Sequence, residues 1–170
     1  MQLVRRLLAV AVFAGITAAP AQALPPTIGG GWDVFSWSGL GPVGGSPFAL
    51  TSASPFEIRV VDCCVVGDQF KLSWTGTSSG FFDTSTPGTS GGGCITGDTC
   101  WALSEMSKGM ALFGAGSYSY TLATITLAPG YTTGAGFIRA DVSAVPEPTT
   151  WALMASGLLG LGVVARRRKA

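Results

Sequence analysis

Phe56-Glu57-Ile58-Arg59-Val60 and, after a Val65-Val66-Gly67-Asp68 break, Gln69-Phe70-Lys71-Leu72-Ser73-Trp74 decide the fold class of this chain. Both stretches alternate apolar and polar residues. Successive side chains of an extended strand point to opposite faces, so this alternation is that of a strand with one face in a core. Phe70, Leu72 and Trp74 share one face and are assigned to the core. Glu57, Arg59, Lys71 and Ser73 fall on the other.

Further strands are predicted at 32–38, 118–127 and 137–143, the last two separated by Ala128-Pro129-Gly130. Only 100–108 has helical character, and 81–99, with glycines at 91, 92 and 93, is the longest irregular stretch. Short strands punctuated by Gly and Pro point to an all-β fold, an antiparallel β-sandwich of jelly-roll-like kind. Residues 24–144 supply about 120 residues for it, enough for one domain with its own core.

The ends read differently. Residues 1–23 combine Arg5 and Arg6, an apolar run over 7–16 and Ala21-Gln22-Ala23, the three parts of a cleavable signal peptide, with Ala21 and Ala23 as the small residues a signal peptidase needs. Ten apolar residues are too few to span about 30 Å of hydrocarbon at about 1.5 Å per residue. The expected route is therefore the Sec machinery followed by cleavage. Residues 145–170 begin with Val145-Pro146-Glu147-Pro148, continue through an uncharged stretch over 149–165 and end in Arg166-Arg167-Arg168-Lys169. The prolines keep the segment before the apolar stretch extended. The stretch itself is long enough for a helix of roughly 26 Å, a short transmembrane span. Trp151 suits the interface, and the four cations hold the end on the cytoplasmic side as a basic stop.

Pro146-Glu147-Pro148, the apolar span and the basic end, in that order, resemble the PEP-CTERM sorting signal of Gram-negative bacteria. The resemblance implies recognition by exosortase, a membrane protease, with processing near the Pro-Glu-Pro element. It also implies a transient inner-membrane anchor, delivery to the cell surface or extracellular matrix, and an association with exopolysaccharide. Asp62-Cys63-Cys64-Val65-Val66-Gly67-Asp68, Ser107-Lys108-Gly109, Gly114-Ala115-Gly116-Ser117 and Gly136 through Asp141 resemble the β-sandwich domain of secreted proteins that carry this tail. That likeness implies a fold and a location and carries no catalytic residue.

Between the ends, eight acidic side chains face four basic ones, a net charge of −4, so there is no basic footprint for a nucleic acid. All four cysteines, Cys63, Cys64, Cys94 and Cys100, lie in this domain, and an even number in an exported chain points to disulfides. If Cys63 and Cys64 lie on a strand they point to opposite faces, which favours pairing each with Cys94 or Cys100. The alternative is a Cys63–Cys64 bridge plus a Cys94–Cys100 loop. Zinc does not fit, since the adjacent pair lacks ligand spacing and the chain has no histidine.

The absence of histidine also excludes Ser-His-Asp and Cys-His catalysis, and the expectation is a protein that is not an enzyme. Asp62, Asp68 and Asp141 sit near predicted strand edges. A carboxylate pair among them would be the residue for glycoside chemistry, and the three together could hold calcium. Asp62 and Asp68 equally flank a turn, where aspartate bonds nearby backbone. Of the tryptophans, Trp101, next to Cys100 at the end of the glycine-rich stretch, is the candidate for stacking on a sugar ring. The function expected is a structural or adhesive component of the matrix or biofilm, with a carbohydrate-binding module, calcium-assisted or not, as the alternative.

Overall fold

The computed structural model describes residues 25–89, 93–143, 154 and 156–158. Among the described residues of 25–143, nine strands and one short helix follow in the order β1 (Trp32–Ser38), β2 (Gly41–Pro42), β3 (Phe48–Ser52), β4 (Phe56–Asp62), β5 (Gln69–Gly76), β6 (Gly80–Asp83), α1 (Gly97–Ala102), β7 (Lys108–Phe113), β8 (Gly116–Thr126) and β9 (Thr133–Val142). They form two antiparallel sheets. One has the order β1-β9-β4-β7; the other has the order β2-β8-β5-β6, with β3 also on β8.

The two sheets face each other across one core. Phe35, Phe56, Ile58, Val60, Phe113, Ile138 and Ala140 come from the first sheet, and Leu50, Phe70, Leu72, Tyr118, Tyr120 and Leu122 from the second. Trp74 packs against this cluster, in phase with Phe70 and Leu72, as the alternation requires. Edge-to-face contacts such as Phe35–Phe70, with ring centroids 5.0 Å apart, lock the sheets in register.

The open side between β6 and β7 is closed by polar groups. Thr84 Oγ1 lies 2.5 Å from Ser107 Oγ and accepts from Phe70 N at 2.9 Å, while Ser85 N donates to Lys108 O at 2.9 Å. Bonding across the gap leaves the two edge strands with fewer free groups to template aggregation.

The helix differs from the expectation at 100–108. It runs over Gly97–Ala102, and β7 begins at Lys108. Thr96 caps it, accepting from Thr99 N at 3.3 Å while Thr99 Oγ1 accepts from Thr96 N at 3.3 Å, a reciprocal box that fixes the start upstream of Cys100.

Cys63 and Cys64 pair with each other, and Cys94 pairs with Cys100, so the cross-paired arrangement does not form. The strand premise fails at that point: β4 ends at Asp62, and Cys64 takes a left-handed φ of 73°. Neighbouring side chains there no longer alternate. The two bridges still meet through packing, with Cys63, Cys94 and Cys100 buried in a second cluster with Val61, Met106 and Phe137.

The signal-peptide residues Ala21 and Ala23, the motif Pro146, Glu147 and Pro148, and the basic stop Arg166, Arg167, Arg168 and Lys169 lie outside the described residues. Among the described residues no helix is long and apolar enough to cross a membrane.

Candidate functional site

Strands β1, β9, β4 and β7 each send alternate residues away from the core, and their register sets those residues in rows. Trp32 lies opposite Arg139, Arg139 opposite Arg59, and Arg59 opposite Met110. The row on one side of it is Val34, Phe137, Val61 and Lys108. The row on the other includes Asp141, Glu57 and Leu112.

Two arginines directly opposite would repel. Here each has a carboxylate two residues along its own strand: Arg59 pairs with Glu57, and Arg139 Nε lies 2.5 Å from Asp141 Oδ2. The result is a charge-balanced square of planar polar groups. Arg59 and Arg139 are 31% and 30% exposed, so it is held in place yet reachable from solvent.

Part of this face is roofed by α1. The Cys94–Cys100 bridge, Val61, Met106 and Phe137 pack together beneath it and bring Trp101 within 6.0 Å of Trp32, ring centroid to centroid. The Arg59 guanidinium lies 5.4 Å from the Trp101 ring and that of Arg139 5.9 Å from the Trp32 ring. Cations over indoles are held by the ring quadrupole and by contact of flat surfaces.

Lys108 donates to the carbonyls of Trp101 at 2.7 Å and Leu103 at 3.0 Å, tying the end of the helix to β7. Asp98 Oδ1 accepts from Trp32 Nε1 at 2.8 Å and lies 3.6 Å from Arg139 Nη1. A Cβ at Gly97 would collide with the Trp32 ring, so a glycine is required where α1 starts over the indole. Trp101, singled out in the sequence, is therefore one member of a group of five. Trp32, Arg59, Arg139 and Lys108 complete it and were not singled out.

The aspartates predicted to act together are divided. Asp141 belongs to the square. Asp62 and Asp68 lie at the turn after β4, both buried. Asp62 Oδ1 accepts from Cys63 N at 2.7 Å, and Oδ2 accepts from Gly67 N at 3.3 Å and Asp68 N at 3.2 Å. Asp68 Oδ1 accepts from Ala128 N at 2.7 Å. Burial, reinforced by the Asp68 charge, pushes the Asp62 carboxyl up to about 7. Burial also raises Asp68, against the pull of the Ala128 amide and of Asp62.

Asp62 is thus the turn's organiser, its oxygens taken by backbone, as the turn-flanking position implied. Among the described residues no group of three His, Cys, Asp or Glu side chains is placed to hold a metal, and Asp62, Asp68 and Asp141 do not form one site.

A cavity of about 240 Å³ opens beside this turn, between the Cys63–Cys64 bridge and the segment from Ala128 to Ala135, with Trp37, Tyr131 and Asp68 in its walls.

What fold and faces define is a β-sandwich with a roofed aromatic and charged outer face. Residues 144–169 match the PEP-CTERM protein-sorting motif. That motif implies an exported protein processed by exosortase at the membrane. No curated protein and no solved structure matches the chain.

Proposed function

We propose that this chain is an adhesive component of the cell surface or extracellular matrix of a Gram-negative bacterium, and that its domain holds exopolysaccharide on the Trp32–Trp101 face. In this reading the signal peptide over 1–23 is removed by signal peptidase after Sec export. The tail over 145–170 anchors the chain transiently in the inner membrane until exosortase acts near Pro146-Glu147-Pro148. In this reading the sandwich is of jelly-roll-like kind, and the outer face of the sheet β1-β9-β4-β7 is the binding face.

The observation that carries the reading is the pairing of two half-buried indoles with two ion-paired arginines on one face. Indoles offer flat apolar surface to the C–H face of a sugar ring. Guanidinium and carboxylate groups held side by side offer donors and acceptors at fixed spacing for neighbouring hydroxyls. The balance of charge favours a hydroxyl-rich, neutral stretch of polymer over a polyanion. The domain works without catalysis and without calcium.

The test is co-sedimentation of the exported protein, purified from its producing cells, with the exopolysaccharide of the same cells. Retention that falls at least tenfold for Trp101→Ala supports the reading. Retention unchanged by that substitution moves binding elsewhere. No retention, with self-association in its place, makes the protein a structural matrix component; exposed Val34, Met110 and Leu112 on the same sheet would then supply the contact.

A further inference from the structure

The cavity beside the β4–β5 turn has a composition that the outer face does not explain. Its walls are apolar: the Cys63–Cys64 bridge and Val65 on one side, Ala128 on the other, with Trp37 and Tyr131 as aromatic surfaces. Asp68 is the one charged residue in the lining and is 3% exposed. No lysine or arginine among the described residues is ion-paired with Asp68 or with Asp62 behind it. A buried carboxylate without a cation is costly, and buried charges in folded proteins are as a rule paired. Trp37 Nε1, in the same wall, is buried with no hydrogen-bond partner.

Size narrows the ligand. An apolar cavity of about 150 Å³ accepts benzene, and drug-sized ligands need about 300 Å³ or more. At about 240 Å³ this cavity fits a single six-membered ring with a few substituents. Charge narrows it again, since aromatic walls around a carboxylate are the surroundings that hold an organic ammonium group. A bare metal ion would need several oxygen ligands, which these walls do not provide.

We propose that this cavity binds one amino-sugar unit, a six-membered ring bearing a protonated amine. Its ammonium sits against Asp68, and its C–H faces lie against Tyr131, Trp37 and the Cys63–Cys64 bridge. The preference for a cation rests on Asp68 among aromatic walls; the choice of a sugar over another cyclic amine rests on the exopolysaccharide reading above. The left-handed turn at Cys64 and the vicinal bridge then have a use, as they hold a flat apolar wall where β4 ends. Gly67, with φ 142°, sits so close to Ala128 that an added Cβ would lie 2.7 Å from its Cα, which keeps the two walls at a fixed separation.

Calorimetric titration of the exported protein with glucosamine, N-acetylglucosamine, glucose and cyclohexylamine tests this. Glucosamine is expected to bind at least tenfold more tightly than each of the other three. Asp68→Asn keeps an oxygen for the Ala128 amide and is expected to weaken glucosamine at least tenfold. Tyr131→Ala, at the exposed rim, is expected to weaken it severalfold without lowering the melting temperature. Trp101→Ala is expected to leave it unchanged, so this site and the outer face fail or succeed separately. Binding of glucose as tight as that of glucosamine overturns the role of Asp68, and so does an unaffected Asp68→Asn variant. Cyclohexylamine binding as tightly as glucosamine overturns the sugar, and no heat with any of the four overturns the site.

Discussion

The two faces of the sheet β1-β9-β4-β7 are made by the same strands and obey opposite rules. Inward, Phe56, Ile58 and Val60 of β4 meet Ile138 and Ala140 of β9 in a packed core. Outward, Glu57 and Arg59 meet Asp141 and Arg139, and then Val61 meets Phe137 under α1. The inward face is fixed by hydrophobicity, which is indifferent to which apolar residue sits where so long as volume is kept. The outward face carries specific pairs, each worth little to stability, beside the second buried cluster under α1. In the proposed function, recognition is segregated to the side of the sheet opposite the main core.

The largest expected effect is on the inner side. Ile58→Ala should cost about 2–5 kcal/mol, since it empties a fully buried position, whereas Arg59→Ala, its half-buried neighbour, should cost about 1 kcal/mol while weakening polysaccharide retention. Thermal unfolding and co-sedimentation of the two variants should rank in opposite orders. Equal losses in both assays would break the segregation.

Next comes the point where β4 leaves the sheet. The unfolded Asp62 carboxyl releases its proton near its ordinary 3.8, while the folded one holds it to about 7. The folded state therefore binds more protons between these values. Its stability is fullest below about pH 4, falls as pH rises through 7, and levels off above. The loss should be on the order of 2–4 kcal/mol between pH 4 and 8, at about 1.4 kcal/mol per pKa unit. Asp68→Asn removes the neighbouring charge but not the burial, and should lessen the slope without abolishing it in chemical denaturation measured across that range. A curve that rises with pH would contradict the buried carboxyl pair.

The Cys94–Cys100 bridge closes a short loop, for which chain entropy gives about 2 kcal/mol. The double variant Cys94→Ser with Cys100→Ser should lose that much stability in denaturant titration and, more tellingly, lose retention with the roof displaced. Comparable in stability should be Gly97→Ala, at about 1–3 kcal/mol, since its Cβ would collide with the half-buried Trp32 ring, which must shift. It should also move Trp32 fluorescence and reduce retention. An unchanged spectrum would mean that Trp32 is not held by α1.

Much of the inner face was legible in the sequence. Period two over 56–60 and 69–74 placed β4 and β5, and β1 spans the stretch expected for it. Strands β2, β3, β6 and β7 were not, because they are short or glycine-bearing: Gly109 of β7 carries no side chain where Phe82 of β6 packs. The outer face was legible only as Trp101. Alternation labels Arg59 and Arg139 as solvent-facing, and nothing in the spacing says that a helix some 40 residues along the chain will cover them. The disulfide pairing that forms was read in the sequence only as the alternative, for a backbone reason, the left-handed Cys64, which residue identity does not announce.

The segregation is tested most directly by hydroxyl-radical footprinting of the exported protein with and without its exopolysaccharide. The account predicts protection of Trp32, Trp101 and Met110 on the outer sheet face, with Phe81, exposed on the other sheet, oxidised equally in both states. Protection of Phe81 with Trp32 and Trp101 unchanged would contradict it.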